Sequence, residues 1–314
     1  MARGSTPGED AGSTASGAPA AEPAAARGRP PLPVSSRRHL AASRAQENFP
    51  IAAWALRPGL RSERAALYGF CRTVDDLGDD QAGDRTALLE AFRGELRRCW
   101  GGRPDHPVLR HLQPVIVRHR LDPDPFERLV AANLQDQVVQ RYRDWDELVA
   151  YCTRSATPVG ELVLALEGIR DRRRVGLSDA VCTGLQLANM WQDIAADRAR
   201  GRRYLPLAVL TAAGAREDDW WRGDPMPPLR AAMAAAVARA RHELRAGWPL
   251  VGAVTGLLRV EMATFIRSGL AACAAVEAAG DRVFTEKARI PAGARRRAVM
   301  GALPALWRPG RRPR

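Results

Sequence analysis

The chain has 314 residues and a formal net charge of +13, and 46% of its residues are hydrophobic. This length allows one large domain or two ordinary ones. The five cysteines form no CxxC pair and are odd in number, which favours free thiols in a reducing cytosol over a disulfide framework. No uninterrupted apolar run approaches the roughly 20 residues that a membrane-spanning helix needs.

The two ends of the chain differ in composition from its body. Residues 1–38 are rich in Ala, Pro, Gly and Ser and lack the apolar run of a signal peptide, so they are predicted to be a disordered tail. Residues 288–314 hold eight arginines and no acidic residue. We therefore expect one ordered domain over residues 39–290 and a basic tail over residues 291–314.

The basic tail has three interpretations. Arginines near an anionic lipid surface contribute roughly 1 kcal/mol each, which would place a cytoplasmic protein peripherally on the inner face of the membrane. The same charge can bind nucleic acid nonspecifically, but no recognition motif accompanies it, so nucleic acid is not expected as a partner. A tail of this composition can also be inert.

Helical signals dominate the body of the chain, and alternating strand patterns bounded by turns are essentially missing. Breaks coincide with clusters of Gly, Pro and Asp such as GGRPDHP and LDPDP. No GxGxxG segment follows a strand, so a Rossmann unit is not predicted. The pattern predicts an all-α, single-domain bundle with helices over residues 61–77, 85–100, 107–118, 125–138, 145–166, 178–198, 228–248 and 252–279.

An aspartate-rich segment, DDLGDD, ends the first of these helices. Tyr68, Arg72, Asp75 and Asp79 are spaced by four, three and four residues, which places them on one helix face. Asp76 is turned about 100° away from this face, as is Asp80. We expect these last two carboxylates to lie outside the stripe, although Asp80 could still contact a metal ion.

A second segment, NMWQDIAAD, repeats the arrangement later in the chain. Gln186, Asn189, Asp193 and Asp197 are spaced by three, four and four residues. Two such stripes facing each other would gather carboxylates that repel one another unless a cation lies between them, and Mg²⁺ prefers oxygen ligands. Mg²⁺ bound by few carboxylates keeps open positions for diphosphate oxygens.

The alternative for each stripe is a solvated helix face. The residues around both stripes argue against it, because they are mostly apolar, and helices with so much apolar surface are buried on several sides. Their aligned acids then have to face an internal cavity. The two segments together predict a metal-dependent diphosphate site in a central cavity.

Five segments, in order, resemble the squalene and phytoene synthase family of head-to-head prenyl synthases. They are ENFPIAAW, ALYGFCRTVDDLGDD, LQDQVVQRYRDWDELVAYCTRSATPVGEL, LQLANMWQDIAADRARGRRYLP and GDRVF. The resemblance covers residues 46–290. Within the family, ENFP, SATPVG and NMWQD followed by GRRYLP are most similar to the bacterial hopanoid-pathway branch, the squalene or hydroxysqualene synthases.

The resemblance implies roles for both acidic stripes. Arg72 matches a diphosphate-contacting arginine, which agrees with the bidentate fork that guanidinium offers to phosphate. Pairing of Arg72 with Asp75 or Asp76 in an empty site is the alternative. Tyr68 and Gln186 match substrate-lining positions. The alternative for Tyr68 is a core tyrosine whose hydroxyl caps a neighbouring group. The implied metal ligands are Asp75, Asp79, Asn189, Asp193 and Asp197.

Further positions match the family outside these stripes. Arg202 and Tyr204 match a flap that closes over the diphosphate, although Arg203 could do the same work. Asp136 matches a polar residue near the cavity, with an ion pair to Arg141 as the alternative.

A helix kink is predicted where Pro158 and Gly160 interrupt regular backbone hydrogen bonding. The stretch from Ser155 to Gly160 matches the lining of the family's hydrocarbon tunnel. A kink that merely improves packing is the alternative.

The resemblance implies the conversion of presqualene diphosphate to hydroxysqualene, or to squalene, with Mg²⁺ and release of diphosphate. NADPH is an alternative source of hydride, with no motif to indicate it. A separate presqualene diphosphate synthase and a squalene-forming oxidoreductase are implied as functional partners.

Two rival functions stay open. One is the coupling of two farnesyl or geranylgeranyl diphosphates, and the other is a non-catalytic helical partner of a membrane-bound synthase. The segment Glu47–Pro50 stands where other branches place a serine-rich phosphate-contacting segment, which favours an enzyme that takes one preformed diphosphate.

Overall fold

The computed structural model describes residues 32, 58–79, 81–224 and 226–307. The ENFP segment, Asp80, the last seven residues and nearly all of the predicted N-terminal tail lie outside the described residues. Within the described ranges the regular structure is helical, as predicted, and it contains no β-strand apart from an isolated bridge between Arg141 and Arg203.

Fourteen α-helices are present in the described part of the chain. They are α1 (Arg61–Asp79), α2 (Arg85–Gly101), α3 (Pro107–His119), α4 (Pro123–Asp136), α5 (Trp145–Ser155), α6 (Thr157–Leu166), α7 (Arg172–Gln192), α8 (Ile194–Ala199), α9 (Leu207–Ala212), α10 (Glu217–Arg222), α11 (Pro227–Ala246), α12 (Pro249–Ala253), α13 (Gly256–Ala279) and α14 (Ala292–Met300). Short 3₁₀ turns cover Pro58–Leu60, Gly280–Phe284 and Leu303–Leu306.

Aspartates begin several of these helices. The carboxylates of Asp84, Asp122, Asp144 and Asp171 each accept a backbone N–H at the start of α2, α4, α5 and α7. Such a cap satisfies an amide that has no partner within the helix and stabilises it by about 1 kcal/mol. Four of the acids outside the two stripes therefore define helix starts.

Several helix boundaries differ from the expected ones. The predicted helix over 145–166 is two helices that meet at Ala156, so the kink before Pro158 is a complete break. The predicted helix over 178–198 begins earlier, at Arg172, and is interrupted at Asp193. The ordered structure also continues past Ile290 into α14, because Ala298 and the alanines that follow it are buried against the bundle.

The central helix is α7, which packs against α6, α11 and α13. A second group of helices, α1 to α4, encloses a separate apolar cluster around Phe70, Phe92 and Phe126. The two clusters lie on opposite sides of α6, since Leu164 belongs to one cluster and Leu162 to the other.

A buried ion-pair network joins α1 to α13. The Arg64 guanidinium donates to both carboxylate oxygens of Glu261 at 2.8 Å, and to Glu167, just after α6, at 2.8 Å. Arg64 and Glu261 are fully buried. Breaking such a pair leaves an uncompensated buried charge at a cost of about 3–5 kcal/mol, so the network fixes the relative position of the two helices.

The segment Gly256–Phe284 is the one stretch of the described residues that is long and apolar enough to cross a membrane by length and composition. Half of its apolar window is buried within the protein. Glu261, paired with Arg64, lies inside it. We therefore interpret α13 as a core helix of the bundle.

The helix packing leads to a prediction about glycines on α7. A Cβ atom at Gly184 would lie 2.8 Å from the backbone nitrogen of Leu244 on α11, whereas a Cβ at Gly176 would meet nothing within 4 Å. We expect Gly184→Ala to lower the free energy of unfolding by about 1–3 kcal/mol. Gly176→Ala, the matched control, should leave it unchanged or raise it by up to about 1 kcal/mol. Urea denaturation followed by circular dichroism measures both, and equal stabilities would contradict the close approach.

Candidate active site

A cavity of about 300 Å³ lies between α1, α6, α7 and α13. One side of its lining is polar and consists of Tyr68, Arg72 and Asp75 from α1. The rest is almost entirely apolar, with Ser178 as the exception, and comprises Cys71, Val159, Gly160, Val163, Leu164, Val181, Cys182, Leu185, Met262 and Phe265. A cavity with one charged side and apolar walls fits a ligand with an anionic head and a hydrocarbon body.

Three residues of the first acidic stripe line this cavity, whereas the residues of the second stripe are not among its lining residues. Asp75 lines it, and Asp79 lies one turn further along α1 with 41% of its side chain exposed. Asp76, off the stripe, is buried and forms a 2.6 Å ion pair with Arg72. The sequence left open whether Arg72 pairs with Asp75 or with Asp76 when no ligand is bound. The structure shows the pair with Asp76.

The side chain of Asp75 is exposed to the open cavity. Protein packed closely around its carboxyl nevertheless raises the pKa of that carboxyl to about 7. A 3.4 Å hydrogen bond from Asn133 opposes the shift, and repulsion from Asp79 adds to it. A group that is costly to ionise alone is well suited to bind a cation.

The second stripe is divided between two helices. Gln186 and Asn189 are partly buried near the end of α7, and Asp193 follows that helix as its C-terminal cap, with its N–H donating to the Asn189 carbonyl. Asp197 lies on the short helix α8. Burial raises the pKa of Asp197 to about 7, with repulsion from Asp193 adding to the shift and Arg202 opposing it.

Arg202 lies between the two stripes. Its backbone N–H donates to the Asp197 carbonyl at 2.8 Å, and its guanidinium lies 4.0 Å from Asp79 and donates to the Tyr204 hydroxyl at 3.0 Å. Burial lowers its pKa, but Tyr204 and the carboxylates of Asp136, Asp79 and Asp197 outweigh this and raise the pKa above its usual value. Acids from α1 and α8 therefore converge on one guanidinium.

Arg202 and its neighbour Arg203 make different contacts. The Arg203 guanidinium is buried and donates to the backbone carbonyls of Tyr142 and Leu205. It also contacts Glu217 at 3.3 Å. Arg203 therefore holds the loop in place, whereas Arg202 faces the acidic stripes.

Asp136 lies in a cluster of aromatic side chains beside Arg202. The Tyr151 hydroxyl donates to it at 2.7 Å, and burial raises its pKa to about 6. The ring centroids of Tyr151 and Tyr204 are 5.7 Å apart. Arg141, the alternative partner of Asp136, instead lies 3.2 Å from Glu217.

Of the kink residues, Gly160 lines the cavity and Ser155 does not. The Ser155 hydroxyl bonds back to the Tyr151 carbonyl at 3.2 Å. A Cβ atom at Gly160 would lie 2.4 Å from the Ser178 hydroxyl oxygen and 2.6 Å from the Cys182 sulfur. The small residue allows α6 to approach α7 at the apolar side of the cavity.

Sequence reasoning missed Lys287, whose ammonium group lies 2.6 Å from Asp193. The signal was present in the composition, since this is the only lysine of the chain. It also missed the apolar lining supplied by Met262 and Phe265 of α13, because these residues have the same periodicity as ordinary core positions.

The oxygen donors of the site suit a divalent cation, but they are not arranged as a complete set of metal ligands. Among the described residues, no three His, Cys, Asp or Glu side chains are close enough together to hold a metal ion. Arg202 and Lys287 supply the positive charge beside the acids instead. The available donors are hard oxygens, which Mg²⁺ prefers, and diphosphate oxygens would complete its coordination.

Comparison with known proteins agrees with this architecture. The family model for squalene/phytoene synthase matches residues 42–296. Hydroxysqualene synthase from Rhodopseudomonas palustris is 34% identical over 209 residues, which cover 66% of this chain and 71% of that protein. Its counterpart from Zymomonas mobilis is 35% identical over 205 residues, covering 63% and 68%.

Solved structures show the same fold. The squalene synthase HpnC from Alicyclobacillus acidocaldarius matches with a TM-score of 0.72 and 40% identity, over 77% of this chain and 92% of that chain. A dehydrosqualene synthase in complex with a ligand matches with a TM-score of 0.76 and 21% identity, over 85% and 94%, which bears on the fold alone. From its all-α bundle, its two acidic segments and these matches, the chain belongs to the squalene/phytoene synthase family of prenyl diphosphate enzymes.

Proposed function

We propose that this enzyme ionises presqualene diphosphate and converts it to hydroxysqualene with release of diphosphate. The observation that carries the proposal is the division of the cavity into one charged side and long apolar walls. The relatives named hydroxysqualene synthase support the choice of reaction within the family.

The two acidic segments would hold Mg²⁺ through Asp75, Asp79, Asn189, Asp193 and Asp197. Bound there, Mg²⁺ would supply positive charge against the leaving diphosphate. The raised pKa values of Asp75 and Asp197 support this assignment, because a cation relieves the repulsion and poor solvation that cause them.

Three side-chain cations lie where they can bind the diphosphate. Arg72 lines the charged side of the cavity, Arg202 lies between the acidic stripes, and Lys287 lies on Asp193. Each is paired with a carboxylate now. When a cation occupies the acids, these groups become available to the phosphate oxygens, where they stabilise negative charge as the carbon–oxygen bond breaks.

The apolar walls would govern the fate of the carbocation. Val163, Leu185 and Phe265 present no nucleophile, so the cyclopropylcarbinyl cation can rearrange before water reaches it. Ser178 is the one hydroxyl among the apolar wall residues. Capture of the rearranged cation by a single water, with loss of a proton, gives the alcohol.

The coupling of two farnesyl or geranylgeranyl diphosphates is the second candidate. A phytoene synthase from Zea mays is 31% identical over 207 residues, which supports the chemistry of the wider family. The charged groups of the described cavity lie on one side of it. This arrangement favours a substrate with one diphosphate.

Product analysis tests the reaction directly. Purified protein with Mg²⁺ should convert presqualene diphosphate to hydroxysqualene, identified by mass spectrometry, and NADPH should not change the product. Turnover of farnesyl diphosphate alone would assign the coupling reaction instead. Squalene formed only with NADPH would contradict capture by water.

Removal of single metal-binding carboxylates is the second test. Asp79→Asn and Asp193→Asn keep the side-chain shape but remove the charge, so turnover should fall at least about a hundredfold. Asp218→Asn, at a position that is 74% exposed, is the control and should keep full activity. Circular dichroism should show equal helicity in all three variants, and near wild-type rates for either site variant would contradict the assignment.

Two substitutions of Lys287 test whether its positive charge contributes to substrate binding. Lys287→Met should weaken turnover by roughly tenfold, through a higher KM for the diphosphate substrate, since a charge-assisted contact is lost. Lys287→Arg should restore most of the affinity. Arg282→Gln, at a 69% exposed position, is the surface control. A normal KM for Lys287→Met would show that this residue only pairs with Asp193.

A further inference from the structure

The C-terminal segment of the described chain presents an unusual surface. Helix α14 and the 3₁₀ turn after it pack against α13. Most of the residues that face the protein are small: Ala298, Ala302 and Ala305 are buried, and Leu306 is partly buried against the core. The other large apolar residues of the same segment, Val299, Met300, Leu303 and Trp307, are exposed.

This distribution is the reverse of that in an ordinary surface helix, whose large apolar side chains face the core. Of the seven large hydrophobic residues exposed in the described part of the chain, four lie between Val299 and Trp307. Met300 is 58% exposed and Trp307 is 77% exposed. A concentrated apolar patch on a surface marks a contact with a partner or a membrane.

The charged residues of this segment are all basic. Arg295, Arg296 and Arg297 precede it on α14 and are exposed, and no carboxylate of the described residues forms an ion pair with them. No acid occurs from Ala288 to the end of the printed sequence, which adds four arginines after Trp307. Charge complementarity therefore favours a partner that is anionic as well as apolar.

We propose that this C-terminal face, formed by Arg295–Arg297, Val299, Met300, Leu303 and Trp307, binds the surface of an anionic lipid bilayer. Basic residues beside exposed large apolar ones are typical of elements that lie in the membrane interface, where tryptophan is also favoured. A second copy of the chain is a poor partner, because a symmetric contact would bring two arginine clusters together.

The position of this face also suits the cavity. Gly301, beside Met300, packs on α13, where its Cβ would lie 3.0 Å from the Arg267 guanidinium. Met262 and Phe265 of the same helix line the apolar wall of the cavity. The membrane-binding face and the hydrocarbon cavity therefore share one helix, and bilayer binding places a water-insoluble product close to the lipid.

Vesicle binding by the full-length protein tests the proposal without requiring turnover. Cosedimentation should show binding to vesicles of phosphatidylglycerol and phosphatidylcholine, and little binding to phosphatidylcholine alone. Raising the salt from 0.1 to 1 M should weaken the binding, because screening shortens the reach of the charges. No binding to the anionic vesicles, or equal binding to both kinds, would overturn the proposal.

Variants assign the binding to the face itself. The double variant Met300→Ser/Trp307→Ser should bind at least about tenfold more weakly, because less apolar surface leaves water. Arg295→Gln/Arg296→Gln/Arg297→Gln should lose about a hundredfold, at roughly fivefold for each arginine. Val117→Ser/Val138→Ser, at positions that are 67% and 78% exposed elsewhere, is the matched control and should bind like the wild type.

Two outcomes would contradict lipid binding by this C-terminal face. Unchanged vesicle binding by the double variant would place the contact elsewhere. Concentration-dependent dimers in analytical ultracentrifugation, abolished by the same variant, would make a second copy the partner and overturn the lipid assignment. All variants should keep wild-type turnover of detergent-dispersed substrate, so a failed membrane test and a failed catalytic proposal are distinguishable.

Discussion

The arrangement of this protein depends on one electrostatic constraint: carboxylates in a poorly solvated space need positive charge beside them. Asp75 and Asp197 are the clearest cases, since the protein around each carboxyl raises its pKa to about 7. Arg72 opposes this shift at Asp75 and Arg202 opposes it at Asp197, while Lys287 pairs with Asp193. A site built in this way is ready to exchange its own cations for a metal ion accompanied by an anionic substrate.

A second buried charge serves the scaffold instead of the site. Arg64 bonds to Glu261 and Glu167 within a region without solvent, and these contacts join α1 to α13. Because α1 carries the charged side of the cavity and α13 part of its apolar wall, the same ion pair sets the width of the space between them. The charged groups assigned to the proposed function lie at the cavity, where ligands can reach them, whereas the Arg64 network is enclosed.

The sequence predicted the helical architecture and the first stripe well because both follow from local periodicity. It could not predict the break at Asp193, since a residue that caps one helix and precedes another keeps nearly the same spacing. Lys287 reaches Asp193 only through the tertiary fold. Helix α14, which lies beyond Ile290, was not predicted because the arginine content hid a short alanine stripe that packs inward. The roles of the site residues stay predictions.

The pairing of Lys287 with Asp193 has a practical consequence for chemical labelling. Within the printed sequence this residue is the sole side-chain primary amine, while all other basic chains are guanidinium or imidazole. An acylating dye or crosslinker that reacts with such amines therefore modifies one side chain, Lys287, next to the second acidic motif. Occupancy of that motif changes what surrounds the amine, so the rate of its modification would report ligand entry in an otherwise unaltered protein.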